Sequence, residues 1–336
     1  MSKIKIIVKK MLSHCAILYD IGAFIVNKEE RRRWKARKLV NSPEKHCNYI
    51  REKTTLYGYG DSFPRTNTIS LSSPRLFNEK LLWLKYYKYN KSSLVSRCYD
   101  KYLVREYVKE AGCGDILNEL YGVWDDYSKV DFEALPDECV LKVSNGCGDI
   151  IFKRGGKWSQ NDLDSFAEPI VEHQRKQLFK TTGDLFATKE KQRIICEKML
   201  KSNLGYSRPE DYKFYCFNGE PKFLLYIFDR TECSVYKETF KDVDFNDRSY
   251  MFYKAENISL ERPQCYAEML EICRKLSKPF PFVRVDLYVQ DNKPVFGELT
   301  FTPAGSHVLY HVFKPDGSIN YPVLEELGGL LDISNY

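Results

Sequence analysis

Two carboxylates near the end of the chain are spaced so that they could hold a metal ion together. Asp286 and Glu298 lie in two apolar-rich runs separated by the polar residues 291–293. Such runs predict two β-strands joined by a three-residue turn. With the middle turn residue as pivot, Asp286 faces Glu298 and Arg284 faces Thr300 on one side of the ribbon. Like charges directly opposite each other destabilise a sheet. A divalent cation removes that penalty, and two carboxylates with phosphate oxygens suit Mg²⁺. The alternative is a surface hairpin with a solvated charged face.

A lysine followed by two glycines forms a second candidate site. Lys142 lies in an apolar run, and Gly146 and Gly148 follow it before the chain becomes apolar again. Glycines let backbone N–H groups approach phosphate closely, and a lysine supplies a point charge. The spacing is not that of a Walker A loop. The pattern indicates either a phosphate-binding loop or a plain hairpin with a solvent-facing lysine.

Three further charged residues lie inside predicted strands. Glu197 interrupts an apolar strand, where a carboxylate is costly to bury without a partner. An adenine amino group or a ribose hydroxyl would be such a partner, and a strand end in water is the alternative. Asp211 and Lys213 share one face of the strand before Asn218-Gly219, which is the strongest short hairpin signal. A cross-strand ion pair and a solvated edge explain them equally well.

The composition is that of a soluble globular protein, with 43% hydrophobic and 29% charged residues. The formal charge of +6 is concentrated in the run 28–38 and is too small to indicate nucleic acid. Anionic lipid, a charged glycan and nucleotide phosphate all remain open as partners of this run. The 11 cysteines form no C-x-x-C pair, which argues against a zinc ribbon and favours buried reduced thiols in a cytoplasmic protein.

The chain begins with an apolar-rich segment, residues 4–26, that is too often interrupted by charge for a membrane-spanning helix. It predicts either a helix packed on its own domain or an amphipathic helix lying on a membrane surface. In the second case residues 1–38 would make peripheral contact with the inner membrane surface, reinforced by the basic run.

The periodicities predict an α+β protein in four parts. These are a basic helical extension with a linker (1–75), a mainly helical leading segment (76–137), a smaller strand-rich lobe (138–200) and a larger lobe (201–336). His307 and His311 are spaced for one helix face and are interpreted as structural or substrate-lining, because no third ligand lies near them in the sequence.

Taken in order, these motifs resemble the ATP-grasp superfamily, in particular the TupA-like branch of surface-polysaccharide and teichuronopeptide biosynthesis. The resemblance covers roughly residues 75–331. The matching stretches are DKYLVREYV at 100–108, LPDECVLKVSNGCG at 135–148, RIICEKML at 193–200, DYKFYCFNGEPKF at 211–223, and PFVRVDLY with FGELTFTPAG at 281–305. The resemblance implies two α+β lobes with antiparallel sheets that enclose ATP, behind a helical N-terminal extension.

The resemblance implies that ATP and Mg²⁺ are bound, with the phosphates held by the smaller lobe. Lys142 is similar to the lysine that touches the phosphates, and Gly146 and Gly148 are similar to the flexible lid over them. Lys213 would lie near the phosphates or the ribose, and Lys101 would be a second phosphate-side lysine. The branch commonly reads K-x-N-H-G-S-G in the lid, so this chain departs from it between the lysine and the second glycine.

The remaining carried-over residues surround the adenine and the metal. Glu197 is similar to the adenine-side acid, and Asp286 and Glu298 are similar to the magnesium ligands. Arg284 is similar to the residue that steadies the transferred phosphoryl group. Thr300 stands where many ATP-grasp enzymes have asparagine, which puts a second metal ion in doubt. Residues 1–75 do not resemble the Rossmann-like leading domain of many of these enzymes.

The implied activity is that of an ATP-dependent carboxylate–amine ligase acting through an acyl phosphate. The family implies a sugar acid of a capsular or surface polysaccharide, on a small molecule or a lipid- or nucleotide-linked glycan, as the acid. An amino acid or another amine would be the co-substrate. The sequence identifies neither.

Two other functions remain open at this stage. Asp242-Val243-Asp244 is a D-x-D that could hold a metal and a nucleotide sugar in a glycosyltransferase, although a solvated acidic turn explains so short a motif as well. The other open function is that of a nucleotide-binding scaffold at the inner membrane surface that binds ATP without turning it over.

Overall fold

The structure, a computed structural model, describes residues 27–53, 69–146, 148–159, 163, 166, 169–231, 236–251, 255–306, 314 and 318–336. The predictions for residues 4–26 and for His307 and His311 lie outside these residues. The helices are α1 (Lys28–Leu39), α2 (Pro43–Lys53), α3 (Phe77–Tyr87), α4 (Ser93–Tyr99), α5 (Val104–Glu110), α6 (Pro169–Thr182), α7 (Tyr266–Ser277) and α8 (Tyr321–Leu330). The strands are β1 (Leu120–Trp124), β2 (Cys139–Val143), β3 (Ile150–Lys153), β4 (Ile194–Lys198), β5 (Asp211–Phe217), β6 (Glu220–Phe228), β7 (Lys237–Asp242), β8 (Phe282–Gln290) and β9 (Lys293–Thr300).

Two antiparallel sheets with helices around them confirm the α+β prediction. The smaller sheet has the order β1-β4-β2-β3, and the larger has the order β7-β6-β5-β8-β9. Each neighbouring pair is antiparallel. The predicted four-part division of the chain stays a prediction. The smaller sheet takes its edge strand β1 from before residue 138.

Strand β8, between β5 and the edge strand β9, separates a buried apolar face from a polar one. Val283, Val285 and Leu287 are fully buried. They face the apolar side of α7, which packs on this sheet and is amphipathic by its helical spacing. Side chains alternate along a strand. The residues between them, Arg284 and Asp286, therefore lie on the opposite face of the sheet.

The turn between β8 and β9 differs from the three-residue turn that the sequence predicts. Asp291 and Asn292 alone form it, both with positive φ (52° and 58°), which is the backbone of a two-residue turn. The predicted pairing of Asp286 with Glu298 is nevertheless confirmed, because a bulge lies between Asp286 and the next pair. The extra residue is Gly297, where a Cβ atom would lie 2.9 Å from the backbone oxygen of Asp286. The bulge thus compensates for the shorter turn.

The cysteines of the described residues agree with the prediction of reduced thiols. The eight that are described are all buried and free of disulfide bonds: Cys47, Cys98, Cys113, Cys139, Cys196, Cys216, Cys265 and Cys273. Nor is any helix among the described residues both long enough and apolar enough to cross a bilayer.

Candidate functional site

Asp286 is the buried centre of a charged cluster on the polar face of the larger sheet. Its carboxylate is 1% exposed. It accepts hydrogen bonds from Arg284 Nε at 2.7 Å, Arg284 Nη2 at 2.6 Å and Lys213 Nζ at 2.6 Å. Lys213 lies on β5 directly opposite Asp286. Three adjacent strands therefore bring one acid, its facing acid and two cations to the same point of the sheet.

Glu298 is the more accessible acid of the pair. Its side chain is 39% exposed, with Oε1 3.5 Å from Arg284 Nη2 and Oε2 3.8 Å from Lys101 Nζ. Thr300 Oγ1 donates to Oε1 at 3.1 Å and accepts from Arg284 Nη2 at 3.0 Å. The carboxylate oxygens of Glu298 therefore have long contacts with their neighbours and remain accessible to a ligand.

The cations around Glu298 fix its charge. Partial burial would raise the pKa of the Glu298 carboxyl, but the positive charges of Lys101, Lys213 and Arg284 outweigh this effect. The hydroxyl of Thr300 adds to them, and the pKa of Glu298 falls to about 2. The acid is therefore ionised over the whole physiological range of pH.

The ion-pair network continues along β5 away from the hairpin. Lys213 Nζ also lies 3.3 Å from Asp211 Oδ1, and Arg230 Nη2 lies 2.8 Å from Asp211 Oδ2. Of the two interpretations that the sequence left open for Asp211 and Lys213, the ion pair is correct. The alternation of acids and bases keeps each buried charge next to an opposite one, as burial requires.

In the smaller sheet Lys142 and Glu197 are joined to each other. Lys142 Nζ lies 2.7 Å from Glu197 Oε2, and Arg105 Nη1 lies 3.2 Å from Glu197 Oε1. Glu197 is 8% exposed, so its buried charge has two partners. The family resemblance assigns Lys142 to the phosphates and Glu197 to the adenine. The structure places these two side chains in direct contact.

The loop after Lys142 is anchored by the segment between α4 and α5. Asp100 accepts the Ser144 hydroxyl at 2.6 Å, and Lys101 N donates to Ser144 O at 2.7 Å. Lys101 Nζ donates to Gly146 O at 2.8 Å, and the same ammonium group is the one near Glu298. Lys101 therefore links the glycine loop of the smaller lobe to an acid of the larger one.

The two glycines of the loop serve different needs. A Cβ atom on Gly146 would lie 2.5 Å from Asp149 Oδ2, so a side chain there would displace this carboxylate from its hydrogen bond with Arg175 Nε. Gly148 has a φ of +86°, a conformation that side chains disfavour, and open space around its Cα. The residue between them, Cys147, lies outside the described part of the chain.

The structure thus gathers the predicted residues into two groups connected by Lys101. Lys213, Arg284, Asp286 and Glu298 form the first group, and Lys142 and Glu197 lie in the second, next to the glycine loop. Sequence reasoning missed Arg105 and Asp100 as partners of the second group. Both lie in the DKYLVREYV stretch, but which distant acid or hydroxyl each would contact is set by the tertiary fold.

The D-x-D motif has a local structural explanation. Asp242 ends β7, and its carboxylate accepts from Asp244 N at 3.0 Å, Asn246 N at 2.9 Å and Arg248 Nε at 3.2 Å. This arrangement is an Asx-type cap of the following turn. Nothing in this geometry favours the glycosyltransferase alternative.

The donor set at the hairpin fits a magnesium ion that keeps water and phosphate ligands. A carboxylate offers about four acceptor positions. Asp286 uses three, and the accessible Glu298 faces it. Within the described ranges no group of three or more His, Cys, Asp or Glu side chains could hold a metal by itself. Mg²⁺ commonly binds through one or two carboxylates plus substrate phosphates, so two acids suffice.

A family model for TupA-like ATP-grasp proteins matches residues 79–314 of the sequence. That range is more than half of the chain and contains every candidate site residue described above. The chain belongs to the TupA-like ATP-grasp family. This membership confirms the resemblance and the ATP-grasp fold. The name of the family indicates a protein that binds ATP, and the use of Mg²⁺ stays a prediction. The roles assigned to individual residues stay predictions.

Among solved structures, this chain is similar to ATP-grasp ligases at low identity. D-alanine–D-alanine ligase from Bacillus anthracis complexed with ATP has 17% identity and a TM-score of 0.34, covering 61% of this chain and 55% of that one. The enzyme of the same name from Helicobacter pylori has 15% identity and a TM-score of 0.39, covering 76% and 69%.

The ATP-grasp ligase PsnB, complexed with a phosphomimetic variant of its minimal precursor, Mg and ADP, has 15% identity and a TM-score of 0.38, covering 76% and 66%. The present chain spans little more than half the length of the Bacillus anthracis enzyme. Similarity at this level carries no information on what this chain binds. No curated protein matches the sequence.

Proposed function

We propose that this protein is an ATP-dependent ligase that joins a carboxylate to an amine through an acyl phosphate. The observation that carries the proposal is the facing pair Asp286 and Glu298, surrounded by Arg284, Lys213 and Lys101. Family membership supports ATP as the second substrate. The cluster has the charges that transfer of a phosphoryl group requires, because such catalysis rests on positioning and charge neutralisation.

Each charged group has a distinct proposed task. Asp286 and Glu298 would hold Mg²⁺, which when bound neutralises the phosphate oxygens of ATP. Arg284 stays fixed by its two hydrogen bonds to Asp286 while its Nη2 also reaches Thr300. This bidentate contact gives the guanidinium a set orientation toward the transferred phosphoryl group. Lys213 supplies a further positive charge from the neighbouring strand.

The smaller lobe would close over the phosphates. Lys142 is only 22% exposed and is oriented by Glu197, which Arg105 holds from its other oxygen. Its ammonium has three donors, so it can contact a phosphate without leaving Glu197. Gly148 would offer its backbone N–H group without a side chain in the way. Gly146 N already donates to Val143 O at 3.1 Å, so Gly146 would shape the turn of the loop instead. Lys101 joins this loop to Glu298, so that closure and metal binding would be connected.

The reaction follows from this arrangement. The substrate carboxylate attacks the γ-phosphorus of ATP in line, and the bond to the β-phosphate oxygen breaks, giving an acyl phosphate and ADP. The neutral amine then attacks the acyl carbon, phosphate leaves with the electrons of the C–O bond, and the nitrogen releases a proton to the leaving phosphate or to water, giving the amide. The protein contributes position and charge rather than a covalent bond.

We further propose a sugar acid of a surface or capsular polysaccharide as the carboxylate and an amino acid or amine as its partner. This class of acid is the one that the resemblance of the motifs to the TupA-like branch implies. The protein would act in the cytoplasm, and residues 1–38 would bring it to the inner face of the membrane, where a lipid-linked glycan is assembled. Of these residues, only those from Asn27 onward are described.

The proposed reaction is tested by combining each of several acids with each of several amines. Uronic acids, free and nucleotide-linked, are paired with amino acids in the presence of ATP and Mg²⁺, while ADP, phosphate and the mass of an amide are followed. Release of ADP and phosphate in equal amounts with a matching amide supports the ligase. ADP release without an acid, or amide formation without ATP, would refute it.

Two variants connect the reaction to the site. Lys142→Gln removes a charge next to the proposed phosphates, and its turnover should fall by about 100-fold or more. The matched control is Lys222→Gln, which removes an exposed lysine from β6 on the larger sheet. It should retain normal turnover.

A further inference from the structure

The excess of positive over negative charge lies in the first 39 residues. They contain eleven basic and three acidic residues, whereas the remainder of the chain contains 41 basic and 43 acidic residues. Residues 40–336 are therefore slightly acidic, and the formal charge of +6 comes entirely from the N-terminal part. Such asymmetry indicates a separate anionic partner for this part.

Helix α1 carries much of this charge and presents it on one side. A residue advances 100° around a helix, so Lys28, Arg31, Trp34, Lys35 and Lys38 fall within about one third of its circumference. Three of these residues are exposed lysines and Trp34 is 42% exposed. We call these five residues the outer face of α1. It contains no carboxylate.

The two acids of α1 are turned away from this face and are neutralised within the helix. Glu29 lies 3.4 Å from Arg32, and Glu30 lies 2.9 Å from Arg33. Both acids are also in the first turn, where the helix dipole favours negative charge, and Asn27 caps them by accepting from Glu29 N at 2.8 Å. Neither carboxylate of α1 therefore belongs to the outer face.

The helix is fixed to the body of the protein on its opposite side. Ala36 is fully buried, and Arg37 Nη1 donates to Thr181 Oγ1 of α6 at 3.2 Å. Helix α1 is thus packed on α6, and the outer face lies on the side away from this contact. The only large apolar group on the outer face is Trp34, and Lys38 Nζ lies 5.1 Å from its ring.

Exposed lysines beside an exposed tryptophan are typical of protein surfaces that bind membranes. Tryptophan is enriched at the headgroup level, because its ring is amphipathic, and juxtamembrane lysines are attracted by anionic lipid. We propose that the outer face of α1 docks on an anionic lipid surface and orients the ligase on the membrane. The occupant is lipid rather than polysaccharide, because an exposed indole beside lysines suits an interface that is charged outside and apolar beneath.

The test is binding of the full-length protein to vesicles. Sedimentation is compared between vesicles of phosphatidylcholine alone and vesicles that also contain phosphatidylglycerol. The protein should bind only the anionic vesicles. Raising the salt from 0.1 M to 1 M shortens the screening length from about 10 Å to about 3 Å, and binding should be lost.

A charge-matched pair of variants assigns the contact to this face. Lys28→Gln/Lys35→Gln/Lys38→Gln should weaken binding by about 100-fold, at about fivefold for each lysine near the surface. The control Lys222→Gln/Lys275→Gln/Lys293→Gln removes the same charge from exposed positions of the larger lobe and should bind normally. Neither set includes a proposed site residue, so both variants should retain ATP turnover.

Trp34→Phe provides the second readout. The wild-type tryptophan emission should shift to shorter wavelength on anionic vesicles, and this shift should be much reduced in the variant. Absence of binding to anionic vesicles overturns the proposal. It is also overturned if the α1 variant binds as well as the control, or if soluble polyuronate binds to the outer face while vesicles do not.

Discussion

Glu298→Gln offers the sharpest separation of stability from function at the proposed metal site. The substitution removes one negative charge and keeps the size of the side chain. Glu298 is 39% exposed and its contacts to Arg284 and Lys101 are 3.5 and 3.8 Å long. Exposed pairs of this kind contribute about 0.2–1 kcal/mol. The free energy of unfolding should therefore fall by no more than about 1 kcal/mol.

The effect on nucleotide binding should be much larger. A ligand present at 100 times its dissociation constant stabilises the folded state by about 2.7 kcal/mol. If loss of a metal ligand weakens Mg–ATP binding about 100-fold, the same concentration would stabilise the variant by only about 0.4 kcal/mol. The assay is chemical or thermal unfolding with and without ATP and Mg²⁺, which needs no knowledge of the acid or the amine.

Two companion variants complete the comparison. Glu220→Gln changes an exposed acid of β6 that pairs with Arg274, and it should keep both stability and the nucleotide effect. Asp286→Asn should lose the nucleotide effect and about 3–5 kcal/mol of stability, since it leaves Arg284 and Lys213 without their buried partner. Full stabilisation of Glu298→Gln by ATP with Mg²⁺ would refute the metal assignment.

Three further predictions concern the fold around the site. Gly297→Ala should lower the free energy of unfolding in urea by about 1–3 kcal/mol, because its Cβ would lie 2.9 Å from Asp286 O. Gly329→Ala, with nothing within 4 Å in α8, should not be destabilising and serves as its control. Burial, aided by the charge of Lys85, lowers the pKa of His46 to about 3, so the neutral ring is favoured in the folded state. Stability should then be complete above pH 6.5 and fall by up to about 1.4 kcal/mol per pH unit below it, as the unfolded chain takes up the proton. His46→Gln should remove this dependence in unfolding measured between pH 7 and 5, and an unchanged slope would contradict it. The nearby cations lower the pKa of Glu298, which predicts a contribution to stability that is present above pH 4.5 and lost as the pH falls below it. Because the side chain is 39% exposed, this contribution should not exceed about 1 kcal/mol, and Glu298→Gln should lack it.

The parts of the site that could be predicted from sequence are those that depend on local pattern. Alternation along β8 placed Arg284 and Asp286 on one face, and the paired runs placed Glu298 opposite. The turn was misjudged by one residue. Gly297 indicates the bulge in the sequence, because a glycine inside a strand often marks a bulge. The shorter turn and the bulge each shift the register by one residue in opposite directions, so the predicted pairing of Asp286 with Glu298 is correct.

The features that were not predicted, the partners of Glu197 and strand β7, depend on contacts between distant segments of the chain. Arg105 lies 92 residues from Glu197 in the chain, and only the fold shows that they meet. Strand β7 was missed because its buried positions include Glu238 and Lys241, so the segment lacks an apolar pattern. Lys241 is buried because Asp247 and the Ile258 carbonyl oxygen satisfy it. Both cases show charge satisfied by tertiary partners that no local periodicity reveals.

The central claim is that Asp286 and Glu298 jointly hold the cation that accompanies ATP. A crystal structure with Mn²⁺ and a non-hydrolysable ATP analogue, using the anomalous signal of manganese, tests it directly. We expect an anomalous manganese peak within bonding distance of both carboxylates, with the phosphates between this hairpin and Lys142. A peak at Asp242 and Asp244, or phosphates remote from the hairpin, would contradict it.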